Sequence, residues 1–178
     1  MLCTAGNLSS QTITWSGAIN TDWNNAGNWL GGQVPFYLTK VIIPNTANDP
    51  VISSGVQVSN LTILSGAALT NNNVLTIYAS SPDITFLNQG TLTNNGWIWV
   101  NYDNTILSTS SNIGLKNEGV INNNASGTIF IADATLGFWN VSGTVVCKGD
   151  IFIGSASDKG LWNASGTFVV QGRSAHPD

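Results

Sequence analysis

The sequence predicts an all-β fold, a parallel β-helix (β-solenoid) with coils of about 23 residues and a Trp-rich N-terminal cap. Three observations predict it. Leu115-Lys-Asn117, Phe138-Trp-Asn140 and Leu161-Trp-Asn163 repeat one motif, with Asn at a spacing of 23 each time. Short apolar runs alternate with Asn, Gly, Ser and Thr clusters, and no helical stretch intervenes. Charged residues make up 8% of the 178 residues, against about 25% in ordinary globular domains, while 19 Gly and 23 Asn favour turns.

The repeat orders the rest of the chain. Phe86-Leu-Asn88-Gln-Gly90 matches the motif at a spacing of 29, so the extra six residues are expected as an insertion around Trp97–Ser111. Gly127-Thr-Ile-Phe-Ile131 recurs as Gly149-Asp-Ile-Phe-Ile153, and Gly143-Thr-Val-Val146 as Gly166-Thr-Phe-Val169. Leu61–Leu64, Ala68–Thr70 and Val74–Tyr78 read as short strands between turns. One such coil cannot bury its apolar face, but a stack of them builds a continuous core. Strands of successive coils would pair in parallel about 4.8 Å apart, and equivalent residues would form ladders. Phe86, Leu115, Phe138 and Leu161 are the expected inward ladder. Asn88, Asn117, Asn140 and Asn163 are the expected structural ladder at a turn, where stacked amides can hydrogen-bond along the column. An antiparallel β-sandwich is the competing fold, but it does not explain a fixed period with matching Asn positions. The chain divides into a strand and cap region (1–50), solenoid coils (51–172) and a tail (173–178), one domain overall.

The first forty residues differ from the coils. Thr14-Trp15-Ser-Gly17, Asp22-Trp23, Gly27-Asn-Trp29 and Val34-Pro35 carry three of the seven Trp. Val41-Ile-Ile-Pro44 and Pro50-Val-Ile52 follow as strands. The pattern resembles the start of β-helical regions in large secreted bacterial surface proteins, especially of Bacteroidetes. The matching residues are Trp15, Gly17, Trp23, Asn28, Trp29, Pro35, Val41, Ile43, Pro44, Leu61 and Ile63, and the resemblance covers roughly residues 12–100. It implies a secreted or cell-surface location, a non-catalytic or adhesin-like role, and no catalytic residue. The physical reading of Trp15, Trp23 and Trp29 is a cap, with large rings covering the open end of the first coil.

Composition excludes several classes of function. Net charge is −4 and the five cations, Lys40, Lys116, Lys148, Lys159 and Arg173, are scattered, so no nucleic-acid partner is expected. No apolar run of about 20 residues predicts a membrane span. Met1–Ser10 lacks the charged start and apolar stretch of a secretory signal, as in a mature form or an excerpt. Cys3 and Cys147 either pair or remain a free thiol and a buried strand cysteine.

No catalytic constellation, metal site or cofactor is expected. Asp133 and Asp158, or Asp150 and Glu118, could approach as carboxylate pairs of glycosidase type, yet none keeps the repeat period. Capping and turn solvation are the plainer reading. His176, third from the last residue, is the single His and leaves no partner for nucleophilic catalysis. Asp22-Trp-Asn24-Asn25 is oxygen-rich but lacks EF-hand spacing. Thr144 and Thr167 hold the 23-residue register and Thr128 does not, which weakens a Thr-ladder, ice-binding surface. Sequons begin at Asn7, Asn60, Asn124, Asn140 and Asn163 and read as turn chemistry.

Aromatic residues offer the one candidate binding surface. Trp139 and Trp162 are 23 apart beside inward Phe138 and Leu161, so strand alternation points them outward, stacked on one face. Trp97, Trp99 and Tyr102, in the 29-residue coil, are expected nearby. Flat rings suit sugar rings; coverage by a loop or a neighbouring subunit is the competing reading. The functional expectation is a non-catalytic extracellular structural or adhesive module. Its partners are itself, stacked head-to-tail into a surface filament through the open last coil Leu161–Gly172, or other cell-surface proteins. The alternative is a carbohydrate-binding or polysaccharide-active β-helix.

Overall fold

The computed structural model describes residues 11–79, 83–101 and 111–171. It is a succession of short strands that returns to the same three sheets again and again, every strand pair being parallel. The first sheet stacks β1 (Thr12–Thr14), β2 (Lys40–Ile43), β5 (Asn60–Ile63), β8 (Ile84–Asn88), β11 (Ser111–Asn117), β14 (Ala134–Asn140) and β17 (Ala156–Asn163). The second stacks β3 (Val51–Ile52), β6 (Ala68–Asn71), β9 (Thr91–Asn94), β12 (Val120–Asn123), β15 (Thr144–Cys147) and β18 (Thr167–Val170). The third stacks β4 (Val56–Val58), β7 (Val74–Ile77), β10 (Trp97–Val100), β13 (Thr128–Ile131) and β16 (Asp150–Ile153). Among the described residues the only helical element is a 3-10 turn at Ala26–Asn28, capped by the Asn25 side chain. The parallel β-solenoid read from the sequence is therefore the fold.

Register follows the repeat. Leu115, Phe138 and Leu161 are direct cross-strand partners, as are Asn117, Asn140 and Asn163. The inward column extends further back than the motif does, through Phe86, Leu61, Val41 and Ile13. Each of these is buried up to Phe138, while Leu161 keeps the register but is 50% exposed. No described coil lies beyond it to cover it, so its inward placement does not bury it. The insertion falls within its expected bounds, in their later part. Trp97–Val100 is an ordinary rung, paired with Val74–Ile77 on one side and Thr128–Ile131 on the other. The lengthening comes after Val100, in a stretch that includes 102–110 and Tyr102, outside the described residues. Cys3, Asn7, Asp103, Gly172, Arg173, His176 and Asp178 lie outside them too.

At the corner between the first and second sheets the amides form a continuous chain. Asn88 Nδ2 donates to Asn117 Oδ1 at 2.7 Å, Asn117 to Asn140 at 2.8 Å, and Asn140 to Asn163 at 2.7 Å. Asn88, Asn117 and Asn140 have no exposed surface, so these bonds form away from competing water. The column starts above Ile63, which is apolar, and the first acceptor, Asn88 Oδ1, consequently has no donor. A second buried ladder, not foreseen, runs at the corner between the second and third sheets. Asn71 donates to Asn94 and Asn94 to Asn123, both at 2.8 Å, and Asn123 then meets Cys147 Sγ at 3.7 Å. Outside it Asn124 donates to Asn95 and Asn95 to Asn72, in the opposite direction along the axis.

Glycine follows each buried ladder for a steric reason. A Cβ at Gly119, Gly143 or Gly166 would strike the backbone of the preceding coil's glycine, and one at Gly149 would do the same at the other corner. Only a residue without a side chain lets successive corners approach to strand-pairing distance.

The N-terminal end is closed by residues 15–30. Trp15 and Trp29 bridge in antiparallel fashion, Leu30 N donates to Thr14 O, and Asp22 bridges to Val51. Trp15, Trp23 and Trp29 are buried in the same core as the coils and meet edge to face, with centroids 4.8 and 4.7 Å apart. Trp15 Nε1 donates to Asn48 O and Trp29 Nε1 to Trp23 O, each at 2.7 Å. Asn28, fully buried, holds the loop by accepting from Ile19 N and Asn20 N and donating to Asp22 O.

Asn117→Ala strips the ladder of a donor and an acceptor and leaves Asn88 Nδ2 and Asn140 Oδ1 each short of a bond. A loss of about 2–4 kcal/mol is expected in urea unfolding, against under about 1 kcal/mol for Asn124→Ala in the outer ladder.

Candidate functional site

The outward side chains of the first sheet form one column along the solenoid: Thr62, Leu87, Lys116, Trp139 and Trp162 are successive cross-strand partners. The 23-residue coil therefore brings the two Trp together, and strand alternation turns them away from the core. Their rings are parallel within 5° with centroids 5.1 Å apart. Lys116 Nζ lies 5.0 Å from the Trp139 centroid and Lys159 Nζ 4.8 Å from that of Trp162. The result is a cation–aromatic stack with its faces directed along the axis. The Trp139 ring is held between Lys116 and Trp162, and its Nε1 is buried without an acceptor. The C–H bonds of a pyranose pack on an aromatic face, and the two faces that Trp139 and Trp162 turn to each other are already taken up by the stack.

Trp97 and Trp99 do not join this column, contrary to expectation. The Asn94-Asn95-Gly96 corner has already turned the chain onto the third sheet, where Trp99 stacks in register with Thr76, Phe130 and Phe152. Trp97 lies 5.4 Å from Trp99 with planes 19° apart, and Trp99 lies 5.0 Å from Phe130. Phe130 and Phe152 were missed as surface aromatics. Their signal was the Thr-Ile-Phe-Ile and Asp-Ile-Phe-Ile pair, in which the Phe alternates with buried or partly buried Ile.

The acidic residues are tied to corners. Glu118 accepts from Lys116 Nζ at 2.6 Å and from Gln89 Nε2 at 2.9 Å. The bond from Lys116 leads, and that from Gln89 adds, in holding its carboxyl below the usual glutamate range, with burial opposing them. Asp133, in a left-handed conformation with φ 45°, accepts from Ser155 Oγ at 2.6 Å in a cleft of about 550 Å³ at the corner between the third and first sheets. Asp158 faces Lys159 at 3.4 Å. Glu118 follows β11 and Asp150 opens β16, so those two occupy different corners. Asp22 and Asn25 spend side-chain oxygens on backbone N–H groups of Asn24 and Gly27. Among the described residues no three His, Cys, Asp or Glu gather as metal ligands. Thr144 pairs with Thr167, but Thr128 belongs to the third sheet opposite Asp150. Asn140, a sequon residue, is buried in the ladder and closed to glycosylation while folded.

Because folding lowers the Glu118 pKa, its pair with Lys116 stabilises the protein at neutral pH, and that contribution disappears as pH falls through the carboxyl's titration. Glu118→Gln is expected to cost under about 1 kcal/mol at pH 7. The gap between variant and parent should close at acidic pH in a urea series.

No curated protein and no solved structure matches the chain. The family described as a domain of unknown function (DUF8693) matches residues 14–128, from the edge of the Trp cap through the start of β13. That span is more than half of the chain, and the protein belongs to this family.

Proposed function

We propose that the chain is a non-catalytic, extracellular structural or adhesive solenoid module. The observation that carries this reading is how the polar and aromatic groups of the walls are used. Lys116, Glu118 and Gln89 bind one another, Trp139 and Trp162 stack on each other, and Asp133 is engaged by Ser155. These contacts join successive coils rather than converging on a reactable point. A core running from the Trp cap to the last coil supports a load-bearing or spacing role. The resemblance of residues 12–100 to secreted bacterial surface proteins supports the location.

Protease treatment of intact cells that express the tagged protein tests the location. Loss of the tag before lysis is expected; protection until lysis would sink the extracellular reading. A glycan array tests the alternative. Parent and Trp162→Ala are expected to retain no glycan, while Trp162→Ala loses about 1–2 kcal/mol of stability from the stack. Selective retention by the parent alone would instead make the stack a carbohydrate site.

A further inference from the structure

Of the 23 Asn in the chain, Asn95 is the single one followed by Gly. Asn-Gly is the step at which a polypeptide most readily loses a side-chain amide. A Gly in second place has no side chain to keep its backbone nitrogen from the Asn Cγ. Here the step arises from two separate choices. Four described corners share one tripeptide plan: Asn88-Gln89-Gly90, Asn94-Asn95-Gly96, Asn117-Glu118-Gly119 and Cys147-Lys148-Gly149. Gly is forced in third place, where a Cβ would strike a carbonyl oxygen of the preceding coil, that of Asn73 in the case of Gly96. The middle place accepts Gln, Glu and Lys at the other three corners, and the buried ladder runs through Asn94 rather than Asn95.

In the folded protein each group that the reaction must move is held. Asn95 Oδ1 accepts from Asn124 Nδ2 at 2.7 Å, and Asn95 Nδ2 donates to Asn72 Oδ1 at 2.8 Å, so the amide is stretched between two coils. Gly96 N donates to Asn94 Oδ1 at 3.3 Å. The peptide units on either side are tied too. Asn95 N donates to Asn71 O, Asn95 O accepts from Ser126 Oγ and Gly96 O accepts from Thr128 N, each at 2.8 Å.

We propose that Asn95 is a fold-gated modification site, silent while its corner is docked between Asn72 and Asn124 and deamidated once that corner opens. In the open chain Gly96 N attacks Asn95 Cγ. The N–Cγ bond forms, the Cγ–Nδ2 bond breaks, and the proton of Gly96 N leaves with the amide as ammonia. Water then adds to one carbonyl of the cyclic imide and that carbon's bond to nitrogen breaks, giving aspartate or isoaspartate. Aspartate fits, because Asn72 can turn its amide to donate to the new carboxylate while Asn124 still donates from the other side. Isoaspartate does not fit. It puts one more carbon into the backbone ahead of Gly96, where there is no room even for a Cβ. Opening is thereby recorded in the covalent chain, and the isoaspartate fraction is barred from refolding. The proposal is independent of the module's location and partners.

Peptide mass spectrometry of the parent and of Asn95→Gln, aged in mildly alkaline buffer and in urea, tests it. Circular dichroism shows which samples are folded. In urea the parent should convert at Asn95 ahead of every other Asn. In buffer that conversion should slow by on the order of a hundredfold or more, since docked corners far outnumber open ones. After dilution from urea, the aged parent should lose refolding yield in proportion to its isoaspartate, which should be absent from the folded fraction. Asn95→Gln aged alike should keep its yield, because Gln closes the equivalent, larger ring far more slowly, and unaged Asn95→Asp should fold. Equal rates in buffer and urea overturn the gate. Isoaspartate at position 95 in the refolded fraction, or an equal loss of yield from Asn95→Gln, overturns its consequence. The parent's own comparisons decide the matter even where a variant does not fold.

Discussion

The structure depends on side-chain amides that bond along the solenoid axis, between backbones already bonded in the same direction. Parallel strands satisfy their own N–H and C=O groups, but each corner must turn the chain sharply and leaves polar groups facing inward. Asn resolves this because one side chain supplies both a donor and an acceptor. Asn117 accepts from one coil and donates to the next, and the same amide reaches the carbonyl of Gly119 within its own turn. A corner built this way is polar yet dry, which is tolerable only if nearly every group is matched. The glycine beside each Asn is the steric counterpart of that arrangement. With a Cβ there, the coils could not come close enough for the amides to meet.

The same column shows what happens where amides are not used. Toward the N-terminus its positions are Ile63 and Ile43, and the corner is sealed by apolar packing and then by the Trp rings. The change from amide to hydrocarbon occurs between Ile63 and Asn88 and leaves Asn88 Oδ1 without a donor. One buried unpaired acceptor costs on the order of 1–3 kcal/mol, a fraction of what the Trp, Phe and Ile burial around it contributes. The capped end and the laddered end are thus two solutions to one problem, joined at a single imperfect seam.

What was legible follows from this division. Where the amide ladder runs, Asn, Gly and the inward apolar residue must recur together, so coil length is printed in the chain at Asn117, Asn140 and Asn163. Before Asn88 the same positions need only be apolar, and the spacings drift: partners Val41 and Leu61 are 20 apart, Leu61 and Phe86 are 25 apart. Apolar packing tolerates such drift because it has no direction, so no period survives to be read. The second ladder was hidden differently. Asn71, Asn94 and Asn123 are separated by 23 and then 29 residues, and the next place in the column is Cys147, which breaks the residue type while keeping the burial. Trp139 and Trp162 were readable as an outward pair because they adjoin the ladder. Trp97 and Trp99 were misplaced because the corner before them, Asn94-Asn95-Gly96, was not recognised as one.

Surface function on a solenoid obeys the same geometry as its core. A residue type repeated once per coil is placed about 4.8 Å from its copy, close to the distance at which aromatic rings satisfy one another. Trp139 and Trp162 accordingly consume their own faces, and Lys116 and Lys159 take up positions beside them. Periodicity that reads as a ligand platform in one dimension becomes, once folded, a means of joining coils.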